Sequence, residues 1–531
     1  MSSLPGRFAL AGSAVVVGTS LLGFFGLGPQ PSLPSLWVID GGGTFAGQAQ
    51  TITDSVMLRR VPYSHMHGLT SELPDVDGVA LSSAFEASQG DLCGLRRLLL
   101  KLQDPNANVS LELWGGSIAV GRGCEEPVDS ISLQSSKIAG VGNRWQRGQS
   151  CNYGLMLARR LARTFPARIS CDNFAERGMN TLGQYQAMAA EMAHRPRGGP
   201  DLLILDHAEN DAFSPLRTVP PAVENSIRAL RCFAPETQIV LASMMPFHRH
   251  SPVIATASSS TPPRQHGQDV EEYYARISSY YRVPLLDVYR VDRHFRVWMP
   301  PHRHHPNWAT HALVADMLAH LMNENLEALA RPPPAVGAAP ACEAPAARDG
   351  LNCTDPLAPL FQGLPPELFC LQPRDAYLAD GSQRRWSARG QDASTNAPKV
   401  VLPQDGSWRF FEDVAGKPGW IAERISAEWL IFPVAAGASR LLLQFLRSYE
   451  GVGRVEVRLS DAPQNNSYIL DGLWQSRSSQ TFTLCLHASR PYDPNSSSTV
   501  LGFGMSSGSV GSLLVRLVAG SKFKITSVIS C

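Results

Sequence analysis

The sequence predicts two folded units of different class: a parallel α/β sheet covered by helices on both faces, then an antiparallel β-sandwich. Three observations predict this. A chain of 531 residues is too long for one core, so at least two domains are expected. Between residues 92 and 330, short continuous apolar runs alternate with helical patterns, the mark of strands buried on both faces. Beyond a Pro/Ala-rich stretch the long helical patterns stop, and short runs separated by Gly, Pro, Asn and Ser take over.

The elements follow in order. After Arg7, the run Phe8 to Gly28 contains no charge and ends at the breaker PQPSLPS. Its length suits a spanning helix of about 20 residues better than the shorter apolar region of a cleaved signal. Residues 1–30 are therefore read as a signal anchor or a signal peptide. Either would send the body into the secretory pathway, as a single-pass membrane protein with a lumenal or extracellular body, or as a secreted protein. Ten cysteines without a close CxxC pair fit disulfides in that compartment. Glycosylation triplets at Asn108, Asn352, Asn465 and Asn495 fit glycans. Residues 31–91 are poorly periodic and read as a stalk or lead-in.

In residues 92–330, five strands are predicted in VSLELWGG (109–116), ARISCDNFA (167–175), DLLILDHA (201–208), QIVLASMMP (238–246) and VPLLDV (283–288). The helices between them lie in NYGLMLARRLARTF, with Asn152 as N-cap, then TLGQYQAMAAEMA, AVENSIRALRCF, DVEEYYARISSYY and NWATHALVADMLAHLMNENLEALA. Residues 331–379 read as a Pro/Ala-rich linker. Residues 380–531 read as the sandwich, with alternating runs such as GRVEVRLS. Trp386, Trp408, Trp420, Trp429 and Trp474 in this part are either sandwich core or a stacking surface for sugars. With 47 basic and 46 acidic residues and no basic stripe, nucleic acid is excluded as the main partner.

Chemistry concentrates at strand ends, where open α/β sheets place their sites. Ser117 follows the first strand behind Gly115 and Gly116. Gly178 follows the second, Asn210 and Asp211 the third, and His305 precedes the last helix. A hydroxyl, an open backbone N–H, a side-chain amide and an imidazole are the parts that ester chemistry needs: a nucleophile, a base and fixed donors for an oxyanion. The histidines His302, His304 and His305, with His248, His250 and His311, also invite a metal reading. HRHH lacks a second paired element and no HExxH occurs, so no metal is expected.

GGSIAVGRGC, NFAERGMNT, HAENDA and HHPNWATHALVADML resemble the successive blocks of the SGNH/GDSL hydrolase superfamily, over roughly Val109 to Met322. Gly-Gly-Ser stands where Gly-Asp-Ser is more usual. The tail, with KPGWIAE, LRSYEGVGRVEV and SKFKITSVISC, is similar to the β-rich extension of plant-like and algal members. The resemblance implies a three-layer, flavodoxin-like α/β/α hydrolase domain, and an ester hydrolase without cofactor. It implies Ser117 as nucleophile and His305 as general base. The oxyanion hole would comprise the N–H groups of Ser117 and Gly178 and the side chain of Asn210. The family usually places an acid three residues before the histidine, and here that residue is His302. The groups left to orient His305 are His302, Asp287, Asp292 or a backbone carbonyl. The implied substrates are acyl esters, on glycans or on small lipids. The alternatives are an O-acyltransferase and a catalytically impaired binding protein on the same fold.

Overall fold

The structure is a computed structural model. It describes residues 36–40, 57–61, 93–121, 124, 152–193, 199–212, 214, 218–244, 264–288, 305–306, 308–330, 360–361, 375–377, 383–385, 399–414, 417–434, 437–475, 479–496, 499–506 and 510–531. The N-terminal apolar run, most of the linker, His302, Asp292, Asn352 and Trp386 lie outside these residues. Among the described residues no helix is long and apolar enough to cross a membrane.

Within the stretch read as a stalk, Leu36–Asp40 (β1) and Met57–Val61 (β2) pair antiparallel, Leu36 opposite Val61. The long Gly-rich segment between them hid this pairing, because short turn signals are what mark a hairpin in sequence.

The α/β unit runs α1 (Cys93–Gln103), β3 (Asn108–Gly115), α2 (Ser117–Val120), α3 (Tyr153–Thr164), β4 (Arg168–Asn173), α4 (Thr181–Ala193), β5 (Leu202–Asp206), α5 (Ala208–Asp211), α6 (Val219–Phe233), β6 (Gln238–Ser243), α7 (Arg264–Tyr281), β7 (Leu285–Asp287) and α8 (Trp308–Ala330). The five strands are parallel in the order β4-β3-β5-β6-β7. Alternation within strands builds the layers. Leu202 and Ile204 of β5 enter a core shared with α1, α3 and α8. Leu203 and Leu205 enter a second core with α4, α6 and α7. The chain leaves β3 for β4 on one side and then crosses to β5 on the other. Their carboxyl ends therefore flank a switch point, where open sheets hold ligands.

Local chemistry sets the helix starts. Asn152 caps α3, its Oδ1 accepting from Leu155 N at 3.0 Å. Helix α6 begins at Val219, ahead of the Ala222 start read from sequence, because Pro220 and Pro221 are tolerated in a first turn whose N–H groups need no partner.

The second unit begins at Asp375–Tyr377 (β8), inside the stretch assigned to the linker. β8 pairs with the last strand, Tyr377 opposite Val528. The linker is also anchored before that, where Leu360 N and Phe361 N donate to the buried Glu224 carboxylate of α6. The remaining strands are β9 (Gln383–Arg385), β10 (Trp408–Val414), β11 (Lys417–Ala422), β12 (Leu430–Pro433), β13 (Arg440–Arg447), β14 (Arg454–Leu459), β15 (Ser467–Asp471), β16 (Gln480–His487), β17 (Val500–Gly502), β18 (Ser512–Ala519) and β19 (Phe523–Ser530). One sheet is ordered β10-β11-β19-β13-β16-β17, with β8 beside β19 and β9 beside β8; the other is β12-β18-β14-β15. Among the described residues, the strand pairings of this unit are antiparallel except β16 with β17. Trp408 and Trp420 are buried in the core between the sheets. Trp429 lies under the Arg516 guanidinium at 4.5 Å, and Trp474 under that of Arg447 at 5.6 Å.

Cys124, Cys232 and Cys531 are disulfide-bonded, whereas Cys171 and Cys485 are buried thiols. Burial pushes the Cys171 thiol up to about 12, so it is inert at neutral pH. The asparagines of three glycosylation triplets, Asn108, Asn465 and Asn495, are exposed.

Candidate active site

Strand β3 ends at Gly115, and the chain turns at Gly116 into α2, which opens with Ser117. Two contacts make glycine necessary in this turn. Gly116 N donates to Asp206 O of β5 at 2.9 Å, holding the two strand ends together. A Cβ on Gly115 would lie 2.3 Å from that same carbonyl oxygen, and a Cβ on Gly116 would lie 1.8 Å from Asn210 Nδ2. The backbone before Ser117 is thus in direct contact with the end of β5 and with the short helix α5 that follows it.

Ser117 is 6% exposed. His305, at the entry to α8, places Nε2 2.8 Å from Ser117 Oγ, across 188 residues of sequence. That is within proton-transfer distance, so the imidazole can take the hydroxyl proton as oxygen attacks an electrophile. Tyr153 and His311 lie on the same side. His311 stacks on Tyr153 with centroids 5.8 Å apart, and both its ring nitrogens are buried with no partner among the described residues. Burial, reinforced by neighbouring His305, brings His311 down to about 3, so it is neutral. Tyr153 OH donates to Asp206 at 2.8 Å. Burial raises the Asp206 carboxyl to about 7, although the Tyr153 bond pulls the other way.

Asn210 lies in the short helix α5. Its Nδ2 is buried and has no partner among the described residues. An amide donor left open beside Gly116 costs about 1–3 kcal/mol of unrecovered desolvation, and a bound oxyanion would satisfy it. The turn is clamped by the next residue. Asp211 accepts from Thr181 N at 2.8 Å, Thr181 Oγ1 at 2.6 Å and Tyr274 OH at 2.9 Å. Burial still raises Asp211 to about 6.

Gly178 occupies the left-handed region, φ +79°, in the loop after β4. Glu176 N of that loop donates to Gly115 O at 2.9 Å, which draws the loop to the end of β3. Of the groups weighed for orienting His305, Asp287 ends β7, three strands from β3 in the sheet order, about 14 Å at ordinary strand spacing. His302 and Asp292 are outside the described residues. Among those residues, no group of three His, Cys, Asp or Glu side chains is arranged to hold a metal ion.

Sequence reasoning did not single out Tyr153, Asp206 or Thr181, and it weighed His311 only among the histidines of the metal reading. Asp206 carried a signal, as a carboxylate ending an otherwise apolar strand.

Residues 113–313 match the family described as the GDSL-like Lipase/Acylhydrolase family. No curated protein matches the chain. Among solved structures, one similar to this chain is a two-domain esterase active on acetylated mannans, co-crystallised with mannopentaose. It is 15% identical, with 85% of this chain and 97% of that one covered and a TM-score of 0.50. A phospholipase A1 from Streptomyces albidoflavus is 14% identical over 41% of this chain and 100% of that one, TM-score 0.30. A carbohydrate esterase family 2 enzyme with a carbohydrate-binding domain, from Corynascus thermopiles, is 16% identical over 42% of this chain and 68% of that one, TM-score 0.29.

Proposed function

We propose, for a chain that carries a GDSL-like lipase/acylhydrolase domain over residues 113–313, that it is a serine esterase acting on O-acyl esters through an acyl-serine intermediate. The observation that carries this reading is the 2.8 Å contact between Ser117 Oγ and His305 Nε2. In the proposed reaction His305 takes the Ser117 proton as Oγ attacks the ester carbonyl. The Asn210 amide and the N–H groups of Ser117 and Gly178 receive the oxyanion. His305 then gives the proton to the leaving alcohol, and water repeats the sequence to release the acid. Asp206 and Tyr153 hold the turn beneath Ser117, and neutral His311 fills the space beside the base without adding a positive charge. The carbohydrate class of ester is proposed because the two-domain architecture is shared with an esterase active on acetylated mannans.

The test is hydrolysis of p-nitrophenyl acetate and release of acetate from acetylated mannan, by wild type, Ser117→Ala and His305→Ala. Each variant is expected to lose at least about 10³-fold in kcat while keeping its melting temperature. A Ser117→Ala variant with wild-type rates on both substrates would overturn the reading.

A further inference from the structure

Both turns that carry the candidate oxyanion donors are tied to the same two consecutive residues of the second unit. Strand β16 pairs with β13 on one side, Thr481 opposite Leu446, but β17 joins its other side only from Cys485 to His487. The edge at Gln480 and Thr481 is left open to the α/β unit, and the loop after β4 occupies it. Thr481 N donates to Gly178 O at 3.0 Å, and Asn180 Nδ2 lies 3.4 Å from Thr481 O. Asn180 also starts α4, its Oδ1 accepting from Gly183 N at 2.8 Å. The Asn210 turn is reached through Ser214. Its Oγ accepts from Asn180 Nδ2 at 2.8 Å and donates to Asn210 O at 3.2 Å, with Gln480 Oε1 3.5 Å away. Alongside, Gln444 of β13 donates to Gly183 O and accepts from Ser527 of β19. These are buried polar contacts, so each fixes a geometry that an apolar contact would leave adjustable.

We propose that the β-sandwich is a positioning element of the esterase site. Gln480 and Thr481, at the open edge of β16, set the orientation of the Gly178 and Asn210 turns and so the placement of the two donors. The proposal rests on the esterase reading for its catalytic consequence. Gly178 has no side chain and sits in the left-handed region, where its peptide planes rotate easily; the hydrogen bond to its carbonyl fixes the 178–179 peptide, and so the turn from which the N–H of Gly178, in the peptide before it, projects. A donor displaced by an ångström loses much of its effect on a developing oxyanion.

The experiment uses the full chain and compares Thr481→Pro, which removes the N–H, with Thr481→Ala, which keeps it. The Ser214→Ala/Gln480→Ala double variant cuts the side-chain route and also serves if Thr481→Pro does not fold. With p-nitrophenyl acetate, Thr481→Ala should stay within about twofold of wild type. Thr481→Pro or the double variant should lose about 10- to 100-fold in kcat with KM little changed. Hydrogen exchange at residues 174–181 should rise in the same variants. Unchanged kcat in Thr481→Pro and in the double variant would overturn the proposal, as would equal losses in Thr481→Ala and Thr481→Pro. Failure of the esterase reading itself appears separately, as absence of Ser117-dependent hydrolysis in wild type. Exchange then decides the matter alone: protection of residues 174–181 unaltered by Thr481→Pro rejects the positioning role.

Discussion

At the residue scale, the tightest constraint is at Gly116. The Asn210 amide occupies the space of its missing side chain, 1.8 Å from where a Cβ would be. A methyl group there must push the amide aside, because the backbone is held by the bond from Gly116 N to Asp206 O. Gly116→Ala is therefore expected to cost about 10²–10³ in kcat, the loss of one oxyanion donor, with little change in KM. Steady-state kinetics with a circular dichroism control check this. The positions of Ser117, Gly178, Asn210 and His305 were legible because each sits at a strand end or helix entry, and such places can be located from periodicity. Tyr153 and His311 were not. Tyr153 opens α3 and His311 lies in the first turn of α8, but an aromatic residue in a helix is ordinarily core, and only their stacking on each other, with His311 beside His305, distinguishes them.

At the element scale, the helices on one face of the sheet are joined by more than apolar contact. Arg160 of α3 and Asp316 of α8 form an ion pair with both side chains about 5% exposed or less. Removing one charge strands the other in the interior. Arg160→Met should lower stability by about 3–5 kcal/mol, and Arg160→Met/Asp316→Leu should recover most of the loss. Urea unfolding of both variants measures this. The five strands and the long helices could be read because each is a continuous apolar or periodic run. β1, β2 and β8 escaped for the opposite reason: they are three to five residues long and acquire their identity from a distant partner. The parallel pairing of β16 with β17 was equally invisible, because strand direction is decided by the route of the connection and not by the strand's own residues.

At the scale of the whole molecule, the α/β unit buries ionisable groups with opposite pH preferences. His207 and His311 are held near 3 by burial, below the usual histidine value, so their contribution to stability is present above about 6.5 and lost as pH falls. Asp206 is raised, chiefly by burial, to about 7. Its contribution is complete below about 4 and erodes as pH rises through 7, because the unfolded carboxyl ionises freely and the folded one does not. Asp206→Asn cannot ionise and should escape that erosion. Its melting temperature relative to wild type is expected to rise between pH 5 and pH 8, which thermal melts at the two pH values compare. The change of class between the two units was evident in the sequence, as helical periodicity gave way to short strands. The place where they meet was not, because Gly178 and Thr481 are 303 positions apart and their contact runs through the backbone.

The attachment of Leu360 and Phe361 to Glu224 alters how the two units are leashed together. Fastened there, the connecting chain has only positions 362–374 to spare before β8 begins. A sandwich that let go of the α/β unit would stay confined nearby at high effective concentration. Reseating would be a unimolecular event, independent of how dilute the protein is, and changes in length upstream of Leu360 would leave it untouched.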